Sequence, residues 1–107
     1  MKGTYLGEFE EVVLLAVAIR SGEAYGAALT TEIEQQLNRS VNLGAVHSAL
    51  HRLEEGLIKS QVGGATSDRG GRRKRLYSVT VAGKASLREV RQLRNQMENA
   101  IPKTAWA

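Results

Sequence analysis

The chain has 107 residues, 42% of them hydrophobic and 24% charged, a composition typical of one globular domain and too short for two independent cores. Since it contains no cysteine, disulfide frameworks, thiolate zinc sites, iron–sulfur clusters and cysteine nucleophiles are excluded. The net charge of +4 is unevenly distributed, because residues 1–55 carry −4 and residues 56–107 carry +8, an asymmetry that indicates an anionic partner.

The first predicted helix spans residues 7–20. Its apolar run, residues 12–19, follows three glutamates, and carboxylates stabilise the N-terminal end of a helix. Because the run is apolar nearly all round, we expect this helix to lie centrally. The run is far shorter than the ~18 residues that span a bilayer, and residues 1–8 lack the apolar segment of a signal peptide. We therefore expect a cytoplasmic protein with no membrane partner.

Two amphipathic helices are predicted next, at residues 25–38 and 43–55. The apolar stripe of the former consists of Tyr25, Leu29, Ile33 and Leu37, and that of the latter consists of Leu43, Val46, Leu50 and Leu53. Asn42 is the expected N-cap of the third helix, and Gly56 is expected to end it. The opposite face of the third helix carries small and polar side chains, which allow close approach to a partner.

Two short strands are predicted at residues 57–62 and 74–80, joined by a glycine-rich loop. Five cations fall within seven positions of this segment: Arg69, Arg72, Arg73, Lys74 and Arg75. The stem of Arg75 could instead cover apolar surface near its strand. The glycine pairs 63–64 and 70–71 indicate hinges, since they lack the spacing of a phosphate-cradling loop.

A last helix is predicted at residues 81–101, with Thr80 as its N-cap and Pro102 after its end. Its apolar residues could pack back on their own domain or form a dimer interface, and we expect the dimer because they exceed what a small three-helix core requires. The expected interface residues are Leu87, Val90, Leu93, Met97, Ile101 and Trp106. The chain thus divides into a winged-helix domain, residues 1–80, and a dimerisation helix with its tail, residues 81–107.

The element order predicts a mainly α fold with a small β-hairpin, a winged helix-turn-helix followed by a helix. In this arrangement the third helix fits the major groove of DNA, and the loop at residues 63–75 reaches the backbone or the minor groove. The expected DNA-binding residues are Asn42, Gly44, Ala45, His47, Ser48, His51, Arg52, Arg69, Arg72, Arg73 and Lys74. Arg52 could instead pair with Glu54 or Glu55.

Five segments also resemble the PadR family of bacterial transcriptional regulators. They read LGEFE at 6–10, AYG at 24–26, LGAVHSALHRLE at 43–54, GGRRKRLY at 70–77 and TVAG at 80–83. The resemblance implies a homodimeric, DNA-binding repressor without enzymatic activity, whose C-terminal helix makes the dimer. The chain departs from the family pattern at His47, where an aromatic residue is usual, and in a shorter turn at residues 53–57. It resembles the short members of the family.

Other functions have less support in the sequence. The alternative is a winged helix that docks an acidic protein surface with the same cations. His47 and His51 have a spacing that can bind zinc, but only Glu54 and Glu55 lie near as further ligands, so we expect no metal and no other cofactor. No catalytic constellation is present. Trp106 at a dimer interface could stack a flat hydrophobic effector, which would be a further partner.

Overall fold

A computed structural model describes residues 6–65 and 73–106 of the chain. Its elements are α1 (Glu8–Ile19), α2 (Gly26–Leu37), α3 (Leu43–Leu53), β1 (Ile58–Ala65), β2 (Arg73–Val79) and α4 (Val81–Asn99), followed by a short 3-10 helix at Lys103–Trp106. The order is the predicted one, and the fold is mainly helical with one antiparallel hairpin. The predicted helices were one or two residues too long at most of their ends.

The core lies between the first three helices and the inner face of the hairpin. Its largest fully buried side chains come from all four of these units and include Leu14, Leu29, Leu50 and Ile58. As predicted, α1 lies centrally, since it contacts α2, α3, β2 and α4. Its apolar run is not covered all round, however, because Leu15 and Ile19 are 43% and 55% exposed. The elements that contact α1 in the described structure leave this side of the helix uncovered.

Local signals explain where the helices begin and end. Asn42 accepts a hydrogen bond from the Ala45 backbone (3.2 Å) at the start of α3, as the sequence predicted. At the other end of α3, Gly56 has φ +135°, a conformation that other residues rarely adopt. Thr80 caps α4 by accepting from the Gly83 backbone (3.0 Å).

The hairpin is longer than predicted. The pairing runs from Ile58 opposite Val79 to Ala65 opposite Arg73, with a register shift between Val62 and Ala65. The first glycine pair, residues 63–64, therefore lies inside β1 at a bulge rather than in the loop. Glycine eases the close approach there, because a Cβ at position 63 would lie 3.2 Å from both the Leu76 side chain and the Lys74 carbonyl. The second pair, residues 70–71, lies outside the described residues.

The two halves of α4 have different surroundings. Gly83 and Ser86 are buried, and Leu87 and Val90 pack against the core of their own domain. All described residues from 91 to 106 are exposed. The first half of α4 thus belongs to the winged-helix core, and the second half extends beyond it, which contributes to the longest dimension of the chain, 59 Å.

Candidate nucleic-acid interface

Beyond its first residue, the outward face of α3 is small or polar. Its four buried residues, Val46, Ala49, Leu50 and Leu53, point into the core. The predicted contact residues are all exposed: Asn42, Gly44, Ala45, His47, Ser48, His51 and Arg52. Eleven residues at ~1.5 Å each make α3 about 16 Å long, a suitable length for a major groove. α3 contains no acidic side chain that would repel DNA.

Leu43 was expected in the core but lies on this surface instead. It is the first residue of α3 and is 47% exposed. Helix-turn-helix proteins contact bases mainly with the N-terminal residues of the recognition helix. The spacing of three and four residues placed Leu43 on the apolar stripe with Val46. No local signal shows that the buried part of this stripe begins only at Val46.

His47 packs against the start of α2. A Cβ at Gly26 would come within 2.9 Å of the His47 ring, so the glycine in the AYG segment makes room for the imidazole. The ring therefore packs against the neighbouring helix of the helix-turn-helix while remaining exposed.

Arg52 forms an ion pair with α1 rather than with the neighbouring glutamates. Its Nε donates to Oε2 of Glu10, and the other carboxylate oxygen of Glu10 accepts from the Gly7 backbone (3.0 Å). The Arg52 hydrogen bond, and secondarily the Gly7 one, lower the pKa of Glu10. Arg52 thus joins the end of α3 to the start of α1, whereas the sequence alone suggested Glu54 or Glu55 as partner.

The structure describes only part of the cationic segment. Arg69 and Arg72 lie outside the described residues, and Arg73 is placed only as the first residue of β2. Lys74 is exposed, and its Nζ lies 4.1 Å from the centre of the Tyr25 ring. Arg75 donates to Ser60 (2.9 Å), whose hydroxyl donates to Glu54, so it is held by hydrogen bonds on the hairpin. Tyr25 was missed as part of this site because its spacing indicated a core position.

The expected dimer residues fall into two groups. Leu87 and Val90 pack against their own domain, as described above. The others, Leu93, Met97, Ile101 and Trp106, are exposed. A salt bridge from Arg94 to Glu11 (2.8 Å) joins α4 to α1 one turn beyond Val90, the last residue of the first group.

Other kinds of site find no support in the part of the chain that the structure describes. Within residues 6–65 and 73–106, no three His, Asp or Glu side chains are grouped so that they could hold a metal ion. None of the described helices is both long enough and apolar enough to cross a membrane.

Solved structures similar to this chain include several winged-helix regulators. A PadR-like transcription factor from Bacteroides fragilis matches with a TM-score of 0.70 at 17% identity, over 85% of this chain and 84% of the other. A PadR family regulator from Clostridium difficile matches with a TM-score of 0.58 at 27% identity, over 83% and 91%. Bacillus subtilis PadR, solved in complex with operator DNA, matches at 24% identity with a TM-score of 0.62. This last match covers 77% of the chain but only 45% of the Bacillus protein.

The sequence itself also matches a described family. No curated protein matches the chain. A family model described as "Transcriptional regulator PadR-like family" matches residues 14–89, a range that includes the second half of α1, α2, α3, the hairpin and the first part of α4. Since this range is more than two-thirds of the 107 residues, the chain belongs to the PadR-like family of transcriptional regulators.

Proposed function

We propose that this chain is a homodimeric repressor that binds a pseudo-palindromic operator, with α3 in the major groove and the segment at residues 63–75 on the adjacent backbone or minor groove. The observation that carries the proposal is the outward face of α3, which is exposed and small or polar beyond Leu43, while every later apolar residue larger than alanine faces the core. Its family consists of transcriptional regulators. The Bacillus relative with the same fold was solved with operator DNA. We also propose that the chain has no enzymatic activity.

The contacts divide into two roles. Ser48 and His51 are exposed on α3, and we assign them to base edges or nearby phosphates. Arg72, Arg73 and Lys74 would neutralise phosphates, with Arg69 as a further contact, since lysine and arginine on a wing bind the backbone without reading sequence. Arg52 would contact DNA only after leaving Glu10, so we assign it a smaller contribution.

The dimer is proposed from two uncovered apolar surfaces of the same chain. One is formed by the outer half of α4 and the residues just after it, with Leu93, Met97 and Ile101. The other is a groove of about 280 Å³ between α1 and α2, which Leu15 and Ile19 help to line. A second copy of the chain would cover both surfaces and remove this apolar area from water. It would also place two copies of α3 about 34–36 Å apart, or a multiple of that, for successive major grooves. The flat hydrophobic effector expected beside Trp106 stays a prediction.

The experiment is binding to the DNA upstream of the protein's own gene. We expect a complex at about 150 mM salt that survives excess nonspecific DNA, with a slope of log affinity against log salt near −6 if the dimer neutralises six to eight phosphates. Lack of binding at micromolar protein would contradict the proposal and favour docking to an acidic protein surface instead.

A triple variant tests the wing assignment. Replacing Arg72, Arg73 and Lys74 with alanine should weaken binding strongly and make the salt slope shallower, because phosphate contacts are lost. The matched control removes three cations from the exposed surface of α4: Lys84, Arg88 and Arg91. Equal losses in both triple variants would show that only net charge matters and would overturn the wing assignment.

A further inference from the structure

The start of α2 lies along the edge of β2 that β1 does not use. The backbone N–H of Tyr77 donates to the carbonyl of Ala24 (2.9 Å), so the segment before α2 is joined to the hairpin by a main-chain hydrogen bond. Tyr77 and Ala24 are both buried. The next residue, Tyr25, is therefore held at a constant distance from the strand that carries the cations.

Tyr25 holds the lysine of that strand. Lys74 lies three positions before Tyr77 on β2, and its Nζ is 4.1 Å from the centre of the Tyr25 ring. A cation over an aromatic face is attracted by the ring quadrupole. An exposed lysine otherwise samples many rotamers and loses that freedom when it binds. The ring thus restricts the rotamers of Lys74 before DNA binds. The N–H groups of the ammonium that do not face the ring remain available as donors.

The residue that follows Tyr25 contacts α3. Tyr25 is the N-cap residue of α2, and Gly26 follows it with the His47 ring packed against its Cα. Residues 25–26 therefore contact the base of the wing on one side and the outward face of α3 on the other. These are the two surfaces that must meet one DNA duplex together.

We propose that Tyr25 is a positioning residue for DNA binding. Its ring holds the Lys74 ammonium beside the outward face of α3, so that the ammonium contacts a phosphate next to the major groove that α3 occupies. This proposal rests on the DNA-binding function proposed above. Tyr25 acts through Lys74. Its contribution is to reduce the conformational freedom that the lysine loses on binding.

The test compares Tyr25→Leu with Tyr25→Phe. Phenylalanine keeps the ring face, and leucine removes it while remaining apolar. The probe is a mixed-sequence duplex of about two helical turns, because a phosphate contact does not depend on sequence. In about 50 mM salt we expect Tyr25→Leu to weaken binding about two- to fivefold and Tyr25→Phe to stay near the wild type. Tyr25→Leu that binds like the wild type would overturn the proposal.

A double-mutant cycle tests whether Tyr25 acts through Lys74. In the Lys74→Gln background, Tyr25→Leu should have little further effect, because the cation it positions is gone. The control lysine is Lys59, which is exposed on β1 of the same hairpin. In the Lys59→Gln background, Tyr25→Leu should have its full effect. If the effects of Tyr25→Leu and Lys74→Gln simply add, the positioning role is wrong.

The contact can also be measured without DNA. Because Nζ lies 4.1 Å from the ring centre, we expect the CH₂ protons next to it to resonate upfield in the protein alone, in the wild type and Tyr25→Phe but not in Tyr25→Leu. This signal keeps the test valid if Tyr25→Leu fails to fold, since a wild type without the upfield shift already contradicts the proposal. If the wild type shows the shift but binds no duplex, the DNA-binding function fails while the Tyr25–Lys74 contact stands.

Discussion

At Gly83 the first turn of α4 touches the chain segment that leads from α3 into the hairpin. A Cβ at this position would lie 2.1 Å from the Leu57 carbonyl oxygen and 2.7 Å from the Val79 side chain. Thr80 binds the same segment, because its hydroxyl donates to the Gly56 carbonyl (2.7 Å) and its N–H donates to Leu57 (3.0 Å). The TVAG segment therefore attaches α4 to the domain: threonine supplies the hydrogen bonds, and glycine permits the close approach.

We expect Gly83→Ala to destabilise the protein although alanine is the better helix former. Alanine gains about 1 kcal/mol of helix propensity, but its methyl group must displace backbone atoms, and overpacking of this kind costs typically 1–3 kcal/mol or more. Urea denaturation at one protein concentration measures the net loss. Lys84→Ala, at the exposed neighbouring position, is the control and should change the free energy of unfolding by less than about 0.5 kcal/mol. A Gly83→Ala variant as stable as the wild type would contradict the close approach.

Between elements, a polar cluster joins α1 to α2. Glu32 on α2 is buried, accepting from Gln36 on its own helix (2.8 Å) and from Arg20 just after α1 (2.9 Å). The hydrogen bond from Gln36, followed by that from Arg20, lowers the pKa of Glu32 below its ordinary value of 4.5. The contact thus joins α2 to the end of α1 through a carboxylate whose ionised form these hydrogen bonds stabilise.

The stability of the domain should therefore fall in acid. Because the folded-state pKa of Glu32 is lowered, the unfolded chain binds the proton first, so the stabilisation is present above the ordinary value of 4.5 and is lost as pH falls through the folded pKa. Glu10, whose pKa is also lowered, adds to this loss in the same direction. We expect the melting temperature to decrease as pH falls below about 4.5.

Two variants separate Glu32 from the other carboxylates. Glu32→Gln should melt lower than the wild type at neutral pH, and its melting temperature should depend less on pH in acid. Glu89→Gln removes the same charge at an exposed position of α4 and should retain the wild-type pH profile. If Glu32→Gln and the wild type show parallel profiles, the Arg20–Glu32–Gln36 cluster does not contribute to the acid sensitivity.

Element boundaries show which features the sequence could predict. Asn42 and Thr80 were identified as caps because a cap acts on an N–H only three residues away. The exposure of one side of α1 could not be predicted, because periodicity shows that a residue is apolar but not which neighbour covers it. Leu15 is apolar yet exposed for this reason. The length of the hairpin was underestimated because glycine and charge usually indicate a loop, whereas here Gly63 lies in β1.

At the scale of the whole molecule, α4 extends from the winged-helix domain with an uncovered apolar stripe. Met97 and Trp106 are 63% and 64% exposed, and Leu93 and Ile101 are exposed on the same segment. Extended apolar surface of this kind on a small protein is typical of an interface. Together with the exposed side of α1, it supports a dimer in which each chain covers the other.

We expect Leu93→Glu combined with Met97→Glu to produce a monomer. Sedimentation at micromolar concentration should show the 11.7 kDa chain mass for this variant and twice that mass for the wild type. Operator binding should weaken as well, because two linked half-site contacts become independent. Gln92→Glu with Asn95→Glu adds the same charge on other exposed positions of α4 and should remain dimeric. A wild type that sediments as a single chain would exclude the dimer.

The sequence by itself determined the order of the elements, the apolar and polar faces of α3, the caps and the family, because these depend on residues a few positions apart or on motifs kept in order. Only the tertiary structure decided that Arg52 pairs with Glu10, 42 positions away, that Lys74 lies over Tyr25, and that Leu15 and Leu43 are exposed. Such contacts depend on which elements meet in space. A charged side chain has several partners within reach of its local sequence, and the packing of the helices determines which one it finds.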